Sequence, residues 1–177
     1  MFEKRNRRRM KASGGCWAVV AVLLLFPVLG RAAEGVLSVT GEVKTPLKLS
    51  LTDLKAMPTA KVTVKDPDGS TATYDGVALC EILKRAGVPQ RESLHKDALQ
   101  LCVLVKAADG YKVVFSLAEL DPSFSDRQVL LAFRRNGAEL DAKTGPFRVV
   151  VPGEKKHGRW IRQVTESEVV RVNGGAK

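Results

Sequence analysis

The sequence predicts an α+β domain, β-rich, with mixed and antiparallel sheet and short helices between the strands. Three observations predict it. Short alternating apolar runs recur through residues 36–172, most of them closed by a turn signal. Only three short segments carry a helical pattern. No long strand–helix–strand alternation appears, which argues against a doubly wound parallel sheet.

Each element has a local cause. Val36–Val43 alternates, with Leu37, Val39 and Val43 on one side, and reads as a strand; Pro46–Leu49 is a short extended piece. Ser50 and Asp53 have capping-box spacing, so a helix carrying Leu51 and Leu54 should start there and stop before Pro58. Lys61–Lys65 and Ser70–Tyr74 flank Asp66-Pro67-Asp68-Gly69, a turn in which proline presets φ and glycine accepts positive φ. Asp75-Gly76 should open the best helix, with Val77, Leu79, Ile82, Leu83 and Ala86 as its apolar stripe; Gly87 and Pro89 end it. Residues 90–97 are polar and read as loop. Leu99–Lys106 and Tyr111–Phe115 form a second hairpin about Ala107-Ala108-Asp109-Gly110. Ser116 and Glu119 repeat the capping-box spacing, and their helix ends near Asp121-Pro122. Gln128–Phe133 is a strand followed by an Asn136-Gly137 turn. Phe147–Val151 and Trp160–Val164 are expected as strands on either side of a basic loop, with a last strand over Glu168–Val172.

The ends of the chain read differently. Residues 1–32 have a basic head, an apolar run from Cys16 to Leu29, and a small-residue site that places cleavage after Ala32. The run would span about 21 Å as a helix, short of a hydrocarbon core of about 30 Å. Residues 1–32 are therefore expected to be a removed signal peptide, residues 33–172 a single domain, and residues 173–177 a flexible tail. The protein is then exported, periplasmic or secreted, and touches a membrane only through the signal segment before cleavage. Arg7-Arg8-Arg9 suits either general or twin-arginine export. The formal net charge of +10 is mostly this segment; without it, 22 basic and 18 acidic residues leave +4. Nucleic acid is not an expected partner. Cys80 and Cys102 remain, too few for a disulfide scaffold, and read as small buried apolar residues.

Common catalytic motifs are absent: no phosphate-binding glycine loop, no Cys-x-x-Cys and no His-Glu-x-x-His. The richest constellation is Glu154-Lys-Lys-His-Gly-Arg-Trp160. Lys155, Lys156 and Arg159 can neutralise phosphate, Arg159 through two parallel hydrogen bonds. His157 can donate to the same anion, and Trp160 offers a stacking face and an indole N–H. The same residues also suit a solvated hairpin tip whose charges keep an edge soluble.

LSVTGEVKTPLKLSLTDLKAMP, then DGVALCEILKRAGVP, then GPFRVVVPGEKKHGRWIRQV, in that order and spacing, resemble the molybdopterin-binding oxidoreductase domain of the sulfite oxidase family, in particular its small exported stand-alone members. The resemblance covers residues 36–172. It implies a sulfite-oxidase-like α+β fold and molybdopterin as cofactor. The segment after Pro152-Gly153 would then help hold the anionic pterin through Lys155, Lys156, His157 and Arg159, with Trp160 beside them and Arg148 as a further contact. Catalytic members of that family bind the metal through a cysteine in a C-x-G-N-like segment. This chain has KVTVKDPDGS there, so Asp66, Asp68 and Ser70 stand where sulfur is expected. A hard carboxylate does not reproduce a thiolate. Three functions follow as expectations: a module binding a pterin or other small anionic ligand without the usual cysteine, an active molybdenum-dependent oxidoreductase, or a non-catalytic domain that docks a redox partner protein.

Overall fold

The alternating first run becomes β1 (Val36–Gly41), which pairs antiparallel with β2 (Leu47–Ser50). In the computed structural model, residues 35–66 and 68–172 are described. The proposed signal segment and tail lie outside them. Ser50 caps α1 (Leu51–Lys55) as its spacing predicts: its hydroxyl accepts from the Asp53 N–H, and the Asp53 carboxylate accepts from the Ser50 N–H at 2.8 Å. β3 (Thr59–Lys65) and β4 (Thr71–Ala78) form the first hairpin, followed directly by α2 (Leu79–Arg85). β5 (Leu101–Ala107) and β6 (Lys112–Ser116) form the second, and α3 (Leu117–Leu120) follows with its Ser116/Glu119 capping box in place. β7 (Leu130–Arg135), β8 (Ala138–Glu139), β9 (Arg148–Val150) and β10 (Val164–Arg171) complete the domain.

The strands make two five-stranded sheets. One runs β2-β1-β10-β5-β6, parallel only between β1 and β10. The other runs β3-β4-β7-β8 with β9 also paired to β7, and is antiparallel throughout. The mixed and antiparallel α+β expectation holds. Leu37, Val39, Val103, Val105 and Phe115 of the first sheet join Tyr74, Val77, Leu130, Leu131 and Val149 of the second in one buried cluster. Burial of that apolar area is the main drive to fold.

Three boundaries differ from expectation. Asp75 to Ala78 continue β4 instead of opening α2, because β3 and β7 both pair with this stretch and supply its backbone partners. The polar stretch 90–97 is not plain loop: it contains the 3-10 turn Arg91–Ser93 and leads into another, Lys96–Gln100. The strand expected over Trp160–Val164 does not form: residues 160–163 lie outside any strand, and Val164 opens the last one. His157–Arg159 is a 3-10 turn, and Gln163 has φ 49°, which an extended strand cannot contain. The last strand instead runs from Val164 to Arg171, displaced from the expected 168–172.

Gly76 is required by close approach. An added Cβ would lie 2.2 Å from the Leu131 carbonyl oxygen of β7. Gly76→Ala is expected to lower stability by about 1–3 kcal/mol, read as a lower urea midpoint.

On β10, Glu166 accepts from the Thr40 hydroxyl at 2.8 Å and lies 3.1 Å from Lys106 Nζ. The Thr40 hydrogen bond, and then Lys106, hold its carboxyl below the ordinary value of 4.5. A depressed acid stabilises the fold above its unfolded pKa, and the contribution disappears as pH falls through the folded value. Thr40→Val should therefore lower the melting temperature at pH 7, with the deficit shrinking as pH falls below the ordinary value of 4.5; thermal melts at several pH values check it.

Candidate anion-binding site

The register of the second sheet brings four polar side chains together. β4 and β7 place Tyr74 opposite Arg135, and β7 and β9 place Arg148 opposite Ala132, which itself faces Gly76. Neither of those two neighbours carries more than a methyl group, so the long Arg148 side chain has room to reach Tyr74. Asp66 follows the last residue of β3 and continues the alternation of Val62 and Val64. It is 6 % exposed.

Arg135 Nε donates to Asp66 Oδ2 at 2.9 Å, with Nη2 on the same oxygen. The Tyr74 hydroxyl donates to Oδ1 at 2.8 Å and accepts from Arg148 Nη1 at 3.1 Å. Burial first, then the hydrogen bond to Asp66, push the Tyr74 hydroxyl above its ordinary pKa. The Arg148 guanidinium carbon lies 5.6 Å from both the Tyr74 and the Trp160 ring centroids, a cation–π arrangement with both rings on one flank. Its Nε is buried and has no acceptor among the described residues; Asp75 Oδ1, Glu154 Oε2 and Ser167 Oγ are likewise buried without a hydrogen-bond partner among them. A buried donor on a cation is costly to leave unpaired.

The basic loop divides into two kinds of residue. Lys155 and Lys156 are exposed and have no ion pair among the described residues. His157 is half-buried, its ring 3.9 Å from that of Trp160. Trp160 is 5 % exposed, meets Tyr74 edge-on at 6.3 Å, and donates its indole N–H to the Val151 carbonyl at 3.1 Å. That N–H is committed to the protein, and His157 covers part of the ring. Arg159 differs from its expected surface position: Nε donates to Glu154 at 2.7 Å, Nη1 to Glu119 at 3.0 Å, and the guanidinium lies 4.6 Å over the Phe115 ring. It fastens the loop to β6 and α3.

The two thiols lie elsewhere. Both are free. Cys80 follows β4, whose opposite end is the Asp66 hairpin, roughly 20 Å away at about 3.3 Å per residue. It is half-buried, where a buried residue was expected, and lines a cleft of about 430 Å³ with Ala78, Glu81, Leu120 and Arg127. None of residues 154–160 lines that cleft. Cys102 is buried on β5, as expected, opposite Ser116. Burial raises the pKa of both thiols, and Glu81 raises that of Cys80 further. Among the described residues no group of three His, Cys, Asp or Glu side chains is placed to hold a metal.

Sequence reasoning passed over Tyr74 and Arg135 and took Asp66 as a turn residue. One signal was present: the period of two that puts Val62 and Val64 on one face carries through to Asp66. Nothing local points to Arg135, which lies 69 positions from its partner.

A mixed sheet and an antiparallel sheet packed on one core, with short helices between the strands, define the class of fold. The chain belongs to the oxidoreductase molybdopterin-binding domain family, whose profile matches residues 27–173. It is 33 % identical over 150 residues to the mitochondrial sulfite oxidase of Rattus norvegicus, covering 69 % of this chain and 27 % of the enzyme. It is 28 % identical over 169 residues to the NADH nitrate reductase of Petunia hybrida, covering 76 % and 18 %. The chain thus spans about a quarter or less of these relatives' lengths. The sulfane dehydrogenase SoxCD of Paracoccus pantotrophus superposes with a TM-score of 0.60 at 22 % identity, over 76 % of this chain and 38 % of that one, and shares the fold.

Arg159→Ala should cost about 1–2 kcal/mol, between exposed and buried ion-pair values, because it leaves two partly buried carboxylates unpaired. Chemical denaturation measures this, and loss of Arg159 is thereby a structural change before it is a binding change.

Proposed function

We propose that the protein is an exported binding module on the sulfite-oxidase-like molybdopterin fold. It holds a pterin cofactor or another small anionic ligand at its cationic end and lacks the cysteine that binds the metal in catalytic family members. The observation that carries this is the buried, acceptor-less Nε of Arg148 beside the loop bearing Lys155 and Lys156. Export rests on the basic head and apolar run of residues 1–32.

The donor set fits the anionic part of molybdopterin. Arg148, Lys155 and Lys156 supply positive charge, and His157 supplies a donor. The donor set does not fit the metal through a protein sulfur. The hairpin end offers Asp66, and that carboxylate is already engaged by Arg135 and Tyr74. When bound in catalytic relatives, the cofactor supplies oxygen-atom transfer at molybdenum. Family membership favours a second reading, an active molybdenum oxidoreductase. Metal analysis of protein purified from its own host separates the two, and stoichiometric molybdenum supports the enzyme.

Native mass spectrometry of that protein should show a bound pterin or other anion. Lys155→Ala with Lys156→Ala should weaken retention by about tenfold at low salt and less at high salt. Stability should stay within about 0.5 kcal/mol, since both side chains are at the surface. Unchanged retention removes the lysines from the site.

A further inference from the structure

We infer that Asp66 is a positioning residue for the anion site, acting through the Tyr74 hydroxyl to aim the Arg148 guanidinium at a tetrahedral oxyanion. This rests on the anion-binding function proposed above and adds to it a device at the hairpin end.

The direction of every hydrogen bond in the chain is forced. Arginine has only donors. The bond between Arg148 Nη1 and Tyr74 is therefore given by Arg148, and the tyrosine oxygen accepts it. The single tyrosine proton must then point at another acceptor, and Asp66 Oδ1 is that acceptor. Arg135 donates to the other oxygen, so both oxygens of the Asp66 carboxylate accept. The order is Arg135 to Asp66, Tyr74 to Asp66, Arg148 to Tyr74. It fixes one edge of the Arg148 guanidinium and leaves Nε, buried and unpaired, as a donor for the ligand. An asparagine at position 66 cannot reproduce this. Whichever way its amide turned, its NH2 would face a donor: Arg135, or the tyrosine proton that Arg148 requires to stay where it is.

The Tyr74 and Trp160 rings add a second constraint. The two ring centroids lie 6.3 Å apart and each 5.6 Å from the guanidinium carbon, so both rings flank Arg148 on one side without sandwiching it and leave it free to rotate in its own plane. The Tyr74 hydroxyl removes that rotation. Asp66, at the segment where family resemblance places a metal-binding thiolate, braces an anion-binding arm.

The test uses the full chain, labelled with nitrogen-15, and inorganic phosphate as the probe. The Arg148 Nε–H resonance is assigned by its loss in Arg148→Lys. In unliganded wild type it should exchange slowly with solvent, and phosphate should shift it. Asp66→Asn and Tyr74→Phe should each speed that exchange and weaken phosphate binding by about tenfold. The double variant should bind no worse than either single one, because both break one chain. Near-UV circular dichroism confirms the fold. If Asp66→Asn does not fold, Tyr74→Phe decides, since it removes one hydroxyl and no charge. Wild-type exchange and wild-type phosphate affinity in the variants would overturn the positioning role and leave the anion site standing. An Arg148 resonance that phosphate does not move in wild type, with exchange still faster in the variants, would overturn the anion site and keep the Arg148 brace.

Discussion

A carboxylate buried to the extent of Asp66 cannot remain charged unless the protein supplies both counter-charge and donors. Much of this end of the molecule is arranged to meet that demand. Arg135 provides the charge from the end of β7, and Tyr74 provides a hydroxyl from the adjacent strand β4. Both arrive because the β4–β7 register sets them opposite each other. The register in turn depends on Gly76, where the β7 backbone comes too close for any side chain. One buried charge thus ties the hairpin end, the central strand pair and the orientation of Arg148 into one unit.

The basic loop is held by a different set of contacts. β6 is an edge strand, and an open edge invites pairing with other chains. Two of its outward groups are occupied: the Val114 carbonyl accepts from Arg159, and the Ser116 N–H donates to Glu119. The same Glu119 binds Arg159, so one ion pair covers the edge and anchors the loop. Tyr111 adds a bond from its hydroxyl to the Gly158 carbonyl at 2.9 Å. Residues that look like ligand contacts in sequence are here partly spent on closing a sheet.

Local signals were readable wherever the cause was local. Both serine capping boxes, both hairpin turns and the glycine stop at Gly87, with its φ of 76°, follow from residues a few positions apart. The errors fall where a distant partner decides. Val77 and Ala78 fit a helical stripe, yet two neighbouring strands claim their backbone groups. Trp160 to Val164 alternates like a strand, yet only isolated bonds form there, such as Val149 N–H to the Ile161 carbonyl at 2.8 Å. The site behaved likewise. Lys155 and Lys156 are exposed, with no ion pair among the described residues, whereas Glu119, which Arg159 binds, and Asp66, which Arg135 binds, lie 40 and 69 positions from their arginines.

Charge balance at this end then bears on what it can hold. Arg135 is matched by Asp66, and Arg159 by Glu119 and Glu154 together. Among the described residues no carboxylate pairs with Arg148, Lys155 or Lys156. Of these five cations, the ones without a carboxylate partner among the described residues are therefore half-buried Arg148 and the two surface lysines. Under the proposed function, the lysines would act on an anion over a screened distance in water, and the arginine at contact range where the dielectric is lower. A sulfur-bound metal would need an anionic donor free to face it. The one buried carboxylate within reach of this network has both oxygens engaged. Fold and chemistry separate at that point. The sheets preserve the family architecture, and the oxyanion function proposed above rests on the polar groups they bring together, not on the fold.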